Sequence, residues 1–245
     1  MPNRTLDRPS VRPSGRRVLL ILGAVVLILA AVNVADKFGP RHTGLIAGPL
    51  VAIGLVLLAR QAGLSWHDLG MSRRTLLPGL KYAVGAVLAV AVVYAAGAAL
   101  PLTRPAFHDV RYHLHLSAAL LTAFIVVPLG TVLLEEVAFR GVLLGLVRRH
   151  RGATWASITS SVLFGLWHIL PSLHLGKANQ AVGETLGTGR VLTVLAAVAF
   201  TALAGLLLCE LRRRSGSLLA TAALHWATNG LGILLTAALA TARFA

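Results

Sequence analysis

The stretch "TVLLEEVAFRGVLLGL", residues 131–146, sets two adjacent glutamates and an arginine in an otherwise apolar run. The chain of 245 residues holds only 8 acidic side chains, and Glu135 and Glu136 are two of them. A charged side chain at mid-bilayer costs about 2.5–3.5 kcal/mol on insertion scales, so it needs a partner or a task. Glu136 and Arg140 stand four apart on one helical face, with the acid N-terminal, the favourable order for an ion pair. Glu135 projects about 100° away from Glu136 on an α-helix and is left outside that pair.

Working outward, the setting is a membrane. Hydrophobic residues make up 56% of the chain and charged residues 13%, with a mean hydropathy of +0.78. A soluble domain of this length cannot hide so much apolar surface, and the composition favours an all-α, polytopic transmembrane helical bundle. The net charge of +15 does not indicate a nucleic-acid partner. The basic residues fall in short clusters between apolar runs, where the positive-inside rule places them. The single cysteine, Cys209, excludes an intramolecular disulfide and a cysteine-based metal cluster.

Crossing about 30 Å of hydrocarbon takes roughly 20 helical residues. Apolar segments lie near 18–35, 43–59, 79–100, 117–147, 153–170, 191–211 and 216–241, which predicts seven spans. The fourth is over-long, and Pro128 inside it can kink or divide it to give eight. Residues 1–17, rich in Arg, Pro and Ser, read as a disordered basic tail, and 18–245 as a single membrane-embedded domain without internal repeats. The apolar core of the first segment runs to about 18 residues, longer than the usual 7–15 of a signal peptide, so it reads as an uncleaved anchor.

Alternate loops differ in charge. One side carries the N-terminal arginines, then Arg60, Arg73, Arg74 and Lys81, then Arg148, Arg149 and Arg151, then Arg212, Arg213 and Arg214. The other side holds fewer, among them Lys37, Arg41, Arg104, Arg111, Lys177, Arg190 and Arg243. This asymmetry predicts a multi-pass protein of the cell membrane with its N-terminus cytoplasmic and its C-terminus outside.

Two further segments carry polar groups into lipid. "SSVLFGLWHIL" sets Phe164 four before His168, and "TAALHWATNGLG" sets His225 four before Asn229. A lone membrane histidine is more often a hydrogen-bonded packing residue. Two histidines, a carboxylate pair and an amide on three spans fit better as one shared cavity holding water. Such a set supports hydrolysis: glutamate with histidine polarises water, directly or across a metal ion, and histidine and amide donors stabilise an oxyanion. HExxH and GxSxG are absent, which removes the zincin and serine-hydrolase arrangements.

With these residues in place, the chain resembles the CPBP intramembrane proteases. That family takes in the CAAX prenyl endopeptidases, bacteriocin-processing enzymes and their bacterial relatives, also called the Abi family. EExxxR appears as Glu135, Glu136 and Arg140, FxxxH as Phe164 and His168, and the histidine–asparagine pair as His225 and Asn229. The likeness covers a core of about 117–241, and "WHDLGM" (Trp66 to Met71) looks like the family's membrane-surface segment.

The resemblance implies an intramembrane endopeptidase acting on a peptide or membrane-protein substrate within the bilayer. Glu135 and His168 would activate water, His225 and Asn229 would bind the oxyanion, and Glu136 with Arg140 would brace the site. It leaves open whether a divalent metal such as zinc takes part, held by Glu135, His168 and His225, or whether the site is metal-free. A proton-coupled transporter and a non-catalytic immunity or partner protein are the competing readings, since intramembrane Glu and His also mark ion paths. In the outer loop, His108, Asp109, His113 and His115 read as solvated rather than as a surface metal site. Glu210 is expected to pair with its neighbouring arginines. The Gly-rich 171–190 loop is read as mobile, and substrate identity and oligomeric state are not set by the sequence.

Overall fold

In lipid every backbone N–H must find its carbonyl inside the protein, which leaves helices or closed barrels. The computed structural model describes residues 15–40, 43–187 and 189–242. Among these the chain is helical, and its only β pairing is an isolated bridge between Asp109 and Asn179. Two helices, α1 (Gly15–Phe38) and α2 (Thr43–Gln61), open the fold. After a loop, a short turn (Arg73–Thr75) capped by the Ser72 side chain leads into α3 (Leu76–Ala99). The expected tail therefore gives way to helix by Gly15, and residues 1–14 lie outside the described residues, as do Arg41 and Arg243.

The decisive element is a 52-residue helical run, Leu116–Trp167. It folds back at Gly152, whose φ of 84° is one that glycine adopts without steric penalty. The two arms, α4 (residues 116–151) and α5 (153–167), pack against each other. Ser160 Oγ donates to the Phe139 carbonyl at 2.8 Å, and the Phe139 and Phe164 rings meet edge-on at 5.2 Å. Two further helices follow, α6 (Arg190–Ser215) and α7 (Leu218–Thr241).

Six helices are long and apolar enough to cross a membrane when the folded run counts as one. Its two arms restore the seven apolar segments of the sequence. The eighth does not arise: π-helical stretches at Thr122–Val126 and Pro128–Val132 carry α4 past Pro128 without a break. Their i→i+5 bonding absorbs the missing N–H. Exposed Leu27, Leu57, Val92 and Leu195 give the outer helices their lipid-facing surface.

The loops sort onto two ends as the charge alternation requires. At the basic end, Arg148 pairs with Asp68 at 3.3 Å and Arg149 donates to the Gly63 carbonyl at 2.6 Å. Arg212 is buried there and donates to the carbonyls of His67 and Asp68 at 3.2 and 3.1 Å. The segment 62–71, which includes "WHDLGM", is not a surface strip alone. Leu64 and Leu69 are fully buried beneath it, while Trp66 stays half exposed under the Arg60 guanidinium at 4.9 Å. At the other end, Asn179 donates to the Ala106 carbonyl at 2.9 Å and joins the 100–115 loop to the 171–187 segment. That segment contains short helices, Ile169–Ser172, Leu175–Ala178 and Gln180–Leu186, where an irregular loop is expected from the sequence.

Candidate active site

The paired glutamates sit where α4 changes its winding. Leu133–Glu135 is α-helical and Glu136–Leu143 is π-helical, and every residue from Leu134 to Leu143 is buried. A π turn is wider than an α turn, so successive side chains diverge by less than 100°. Glu135 and Glu136 consequently point toward one partner, His225 on α7. Glu135 stays outside the Glu136–Arg140 pair, as expected, while both carboxylates face His225.

His225 lies between the two carboxylates. Its Nδ1 is 2.8 Å from Glu136 Oε1, and its Nε2 is 3.8 Å from Glu135 Oε2. A carboxylate oxygen accepts, so Nδ1 carries the proton, and in neutral His225 the Nε2 lone pair faces Glu135. Arg140 donates to the same Glu136 oxygen at 3.1 Å, the expected i,i+4 pair, and no part of its side chain reaches solvent. Its guanidinium lies 3.9 Å from the centre of the Phe164 ring, a desolvated cation–π contact. Glu136 thus serves two donors, whereas the sequence assigns it one.

Glu135 is held from the other side. The Trp167 indole Nε1 donates to Glu135 Oε1 at 2.9 Å, and the Trp167 carbonyl accepts from Asn33 of α1 at 2.7 Å. Oε1 is therefore occupied, while Oε2 is buried with no hydrogen bond from the protein. That oxygen faces the imidazole at 3.8 Å and retains the capacity to accept a hydrogen bond.

His168 terminates α5. Its Nδ1 lies 2.7 Å from the Phe164 carbonyl, which can only accept, so Nε2 of the neutral ring presents a lone pair. The Phe164 ring carries both histidines edge-on, His168 at 4.6 Å and His225 at 5.8 Å between centres. Phe164 is thus the spacer between them. Asn229 lies on the π-helical stretch Ala227–Leu231 of α7. That stretch is fixed by Tyr94, whose hydroxyl donates to the Thr228 carbonyl at 2.8 Å, and by Trp226, whose indole donates to Ala123 at 2.8 Å. The Asn229 amide makes no hydrogen bond to the described residues, so the buried network joins Glu135, Glu136, Arg140 and His225 but does not include it.

Neither of two surface clefts in the structure is the shared cavity expected around the four residues. One, of about 430 Å³, lies at the end opposite the basic loops, beside His113, Lys177 and Glu184. The other, of about 400 Å³, lies between α3 and α6. No three His, Cys, Asp or Glu side chains among the described residues stand close enough together to hold one metal ion. The zinc set of Glu135, His168 and His225 therefore does not close as arranged, and no step below passes through a metal. Nor do the outer-loop residues form one: Asp109 is held by Arg111 through bonds of 2.9 and 2.7 Å.

Trp167 and Asn33 are the functional neighbours that the sequence does not single out. An indole beside a membrane histidine, with its N–H in need of an acceptor, is the signal that could have marked Trp167. No curated protein and no solved structure matches the chain. Residues 116–231 match the family model of the type II CAAX prenyl endopeptidase, Rce1-like, a range that includes every residue of the buried network except the supporting Asn33. The likeness covers just under half of the chain and supports, in general terms, a membrane endopeptidase.

Proposed function

We propose that the chain cleaves peptide bonds inside the bilayer with a water activated by Glu135, and that the observation carrying this is the buried, unpaired Glu135 Oε2 opposite His225. Trp167 keeps the other oxygen occupied, so Oε2 is the base. A water set between Oε2 and the imidazole gives its proton to Glu135 as its oxygen attacks the scissile carbonyl carbon. The new C–O bond pushes the carbonyl electrons onto oxygen. Asn229 supplies an N–H to that oxyanion. His225 supplies a second from Nε2 whenever it holds an additional proton, since its Nδ1–H stays on Glu136. Collapse of the oxyanion breaks the C–N bond, and the proton held by Glu135 passes to the departing nitrogen.

His168 Nε2 accepts a hydrogen bond from the second O–H of the water and orients it. Glu136 and Arg140 fix His225, while Phe164 separates the two imidazoles. Groups acting in this way contribute typically 10²–10⁴-fold for acid–base work and about 10²–10³ for an oxyanion donor. The basic end faces the cytoplasm, with the C-terminus outside, in keeping with the charge of the loops. The substrate is a membrane-associated peptide or protein segment.

The test uses purified protein in lipid nanodiscs and a library of membrane-anchored peptides. Glu135→Gln should keep the thermal unfolding of the parent and lose cleavage by at least about 10²-fold. A chelator added to the parent should leave the rate unchanged. Near-normal turnover in Glu135→Gln sinks the assignment of the base. Loss of activity with chelator, restored by zinc, sinks the metal-free route.

A further inference from the structure

A groove of about 400 Å³ runs between α3 and α6, with one wall from α7. Its floor is apolar: Gly85, Ala86 and Ala89 from α3, Leu207 and Leu211 from α6, and Leu224 from α7. Gly85 has no neighbour within 4 Å of where a side chain would begin, so the small residues open the groove toward lipid. Polar groups stand only at its basic end, where Lys81 and Tyr82 close it.

The charges there are unbalanced. Arg74, in the turn Arg73–Thr75 that leads into α3, and Lys81, in the second turn of that helix, both stand at its basic end. Neither side chain, nor that of Arg73, has an acidic partner among the described residues. Across the groove, Glu210 is shared by Arg213 and Arg214 through contacts of 2.6 Å, which leaves a surplus positive charge. Arg212 is turned inward onto the 62–71 segment and does not contribute. An apolar slot ending in uncompensated cations at a membrane boundary is complementary to one chemistry: an acyl chain joined to a phosphate.

We propose that this groove is a binding site for an anionic phospholipid, one acyl chain lying along Gly85, Ala89 and Leu207 and the phosphate held by Lys81 and Arg74. Lys81 snorkels along its own stem to reach the headgroup level. Basic pockets between transmembrane helices hold anionic headgroups by the same charge complementarity. The site does not depend on the proteolytic reading, although Leu224 places the lipid against the helix that carries His225.

Each basic residue near an anionic headgroup contributes roughly fivefold in affinity, so removing two should cost about 25-fold. The experiment titrates the full-length protein in a neutral detergent with short-chain phosphatidylglycerol or phosphatidylcholine, reading bound lipid by native mass spectrometry and Tm in parallel. Phosphatidylglycerol should bind well above phosphatidylcholine and raise Tm. Arg74→Gln/Lys81→Gln should abolish that preference while still binding both lipids weakly, and Gly85→Leu, which fills the groove, should weaken both. Inorganic phosphate alone should not bind. Equal affinity for the two lipids, an unchanged preference in the charge variant, or full binding in a folded Gly85→Leu each overturns the proposal.

Discussion

Replacing Glu136 by glutamine should unfold the site far more than it perturbs any surface. Glu136 is buried and accepts from both Arg140 and His225 through one oxygen. Arg140 has no solvent contact, and its Nε and Nη2 already lack partners, so a neutral amide leaves a buried guanidinium without compensation. Breaking a buried pair from one side costs about 3–5 kcal/mol. At about 2–4 °C per kcal/mol for a protein of this size, the Tm should fall by roughly 10 °C. The assay is thermal unfolding in detergent micelles, followed by tryptophan fluorescence, beside cleavage of a membrane-anchored peptide.

The informative partner is Glu136→Leu/Arg140→Met, which removes both charges. Replacing a buried ion pair with apolar groups of similar volume is often neutral or stabilising, so Tm should return toward the parent value. Cleavage should not return, because the His225 Nδ1–H has then lost its acceptor and the imidazole is free to turn. The difference separates the two duties of Glu136. A single variant as stable as the parent, or a double variant that cleaves normally, would refute the reasoning.

Trp167→Phe keeps the ring packing and removes the hydrogen bond to Glu135; a bond to a charged group contributes about 1.5–3 kcal/mol, so kcat should drop by about 10–100-fold with KM little changed. Gly70→Ala forces a side chain onto a φ of +76° and against the Arg212 guanidinium, and should lower stability by about 2 kcal/mol in chemical unfolding. Burial pushes the Asp68 carboxyl up, but hydrogen bonds from Ser65 and the charge of Arg148 outweigh it and hold it below the ordinary carboxylate range. Its stabilising effect is therefore complete above about pH 4 and is lost as pH falls through the lowered value. Asp68→Asn should lower Tm at pH 7 and converge with the parent in strong acid.

The helices were legible because hydrocarbon imposes one rule on the whole chain: apolar runs of sufficient length become spans. Pairing by spacing was legible too, as Glu136 and Arg140 show. Glu210 finds its arginines as expected, except that Arg212 turns inward to the 62–71 loop, a tertiary choice with no local signal. The winding of α4 was not legible. Nothing in "EVAFRGVL" separates a π-helical turn from an α-helical one, since the backbone change depends on what packs around it. For that reason the convergence of both carboxylates on His225 could not be read from an angle of 100° per residue. Pro128 is accommodated in the same way, since the adjoining π turns absorb its usual consequence and the seven-segment reading stands.

The fold-back at Gly152 also sets the order in which the site comes into being. Trp167 follows Glu135 by 32 residues, within one hairpin, whereas His225 follows Glu136 by 89. Chains emerge from the ribosome N-terminus first, at about 5–20 residues per second. Arg140 and Glu136 meet within a single helix, and Trp167 reaches Glu135 once the hairpin closes. Each expensive group is thus answered in turn as the chain enters lipid. His225 arrives last, so the nascent protein crosses the membrane with Glu135 and Trp167 already able to meet and the imidazole still missing. On the proposed mechanism, a chain whose α7 has not yet been inserted lacks His225 and Asn229 and so cannot cut itself or its neighbours.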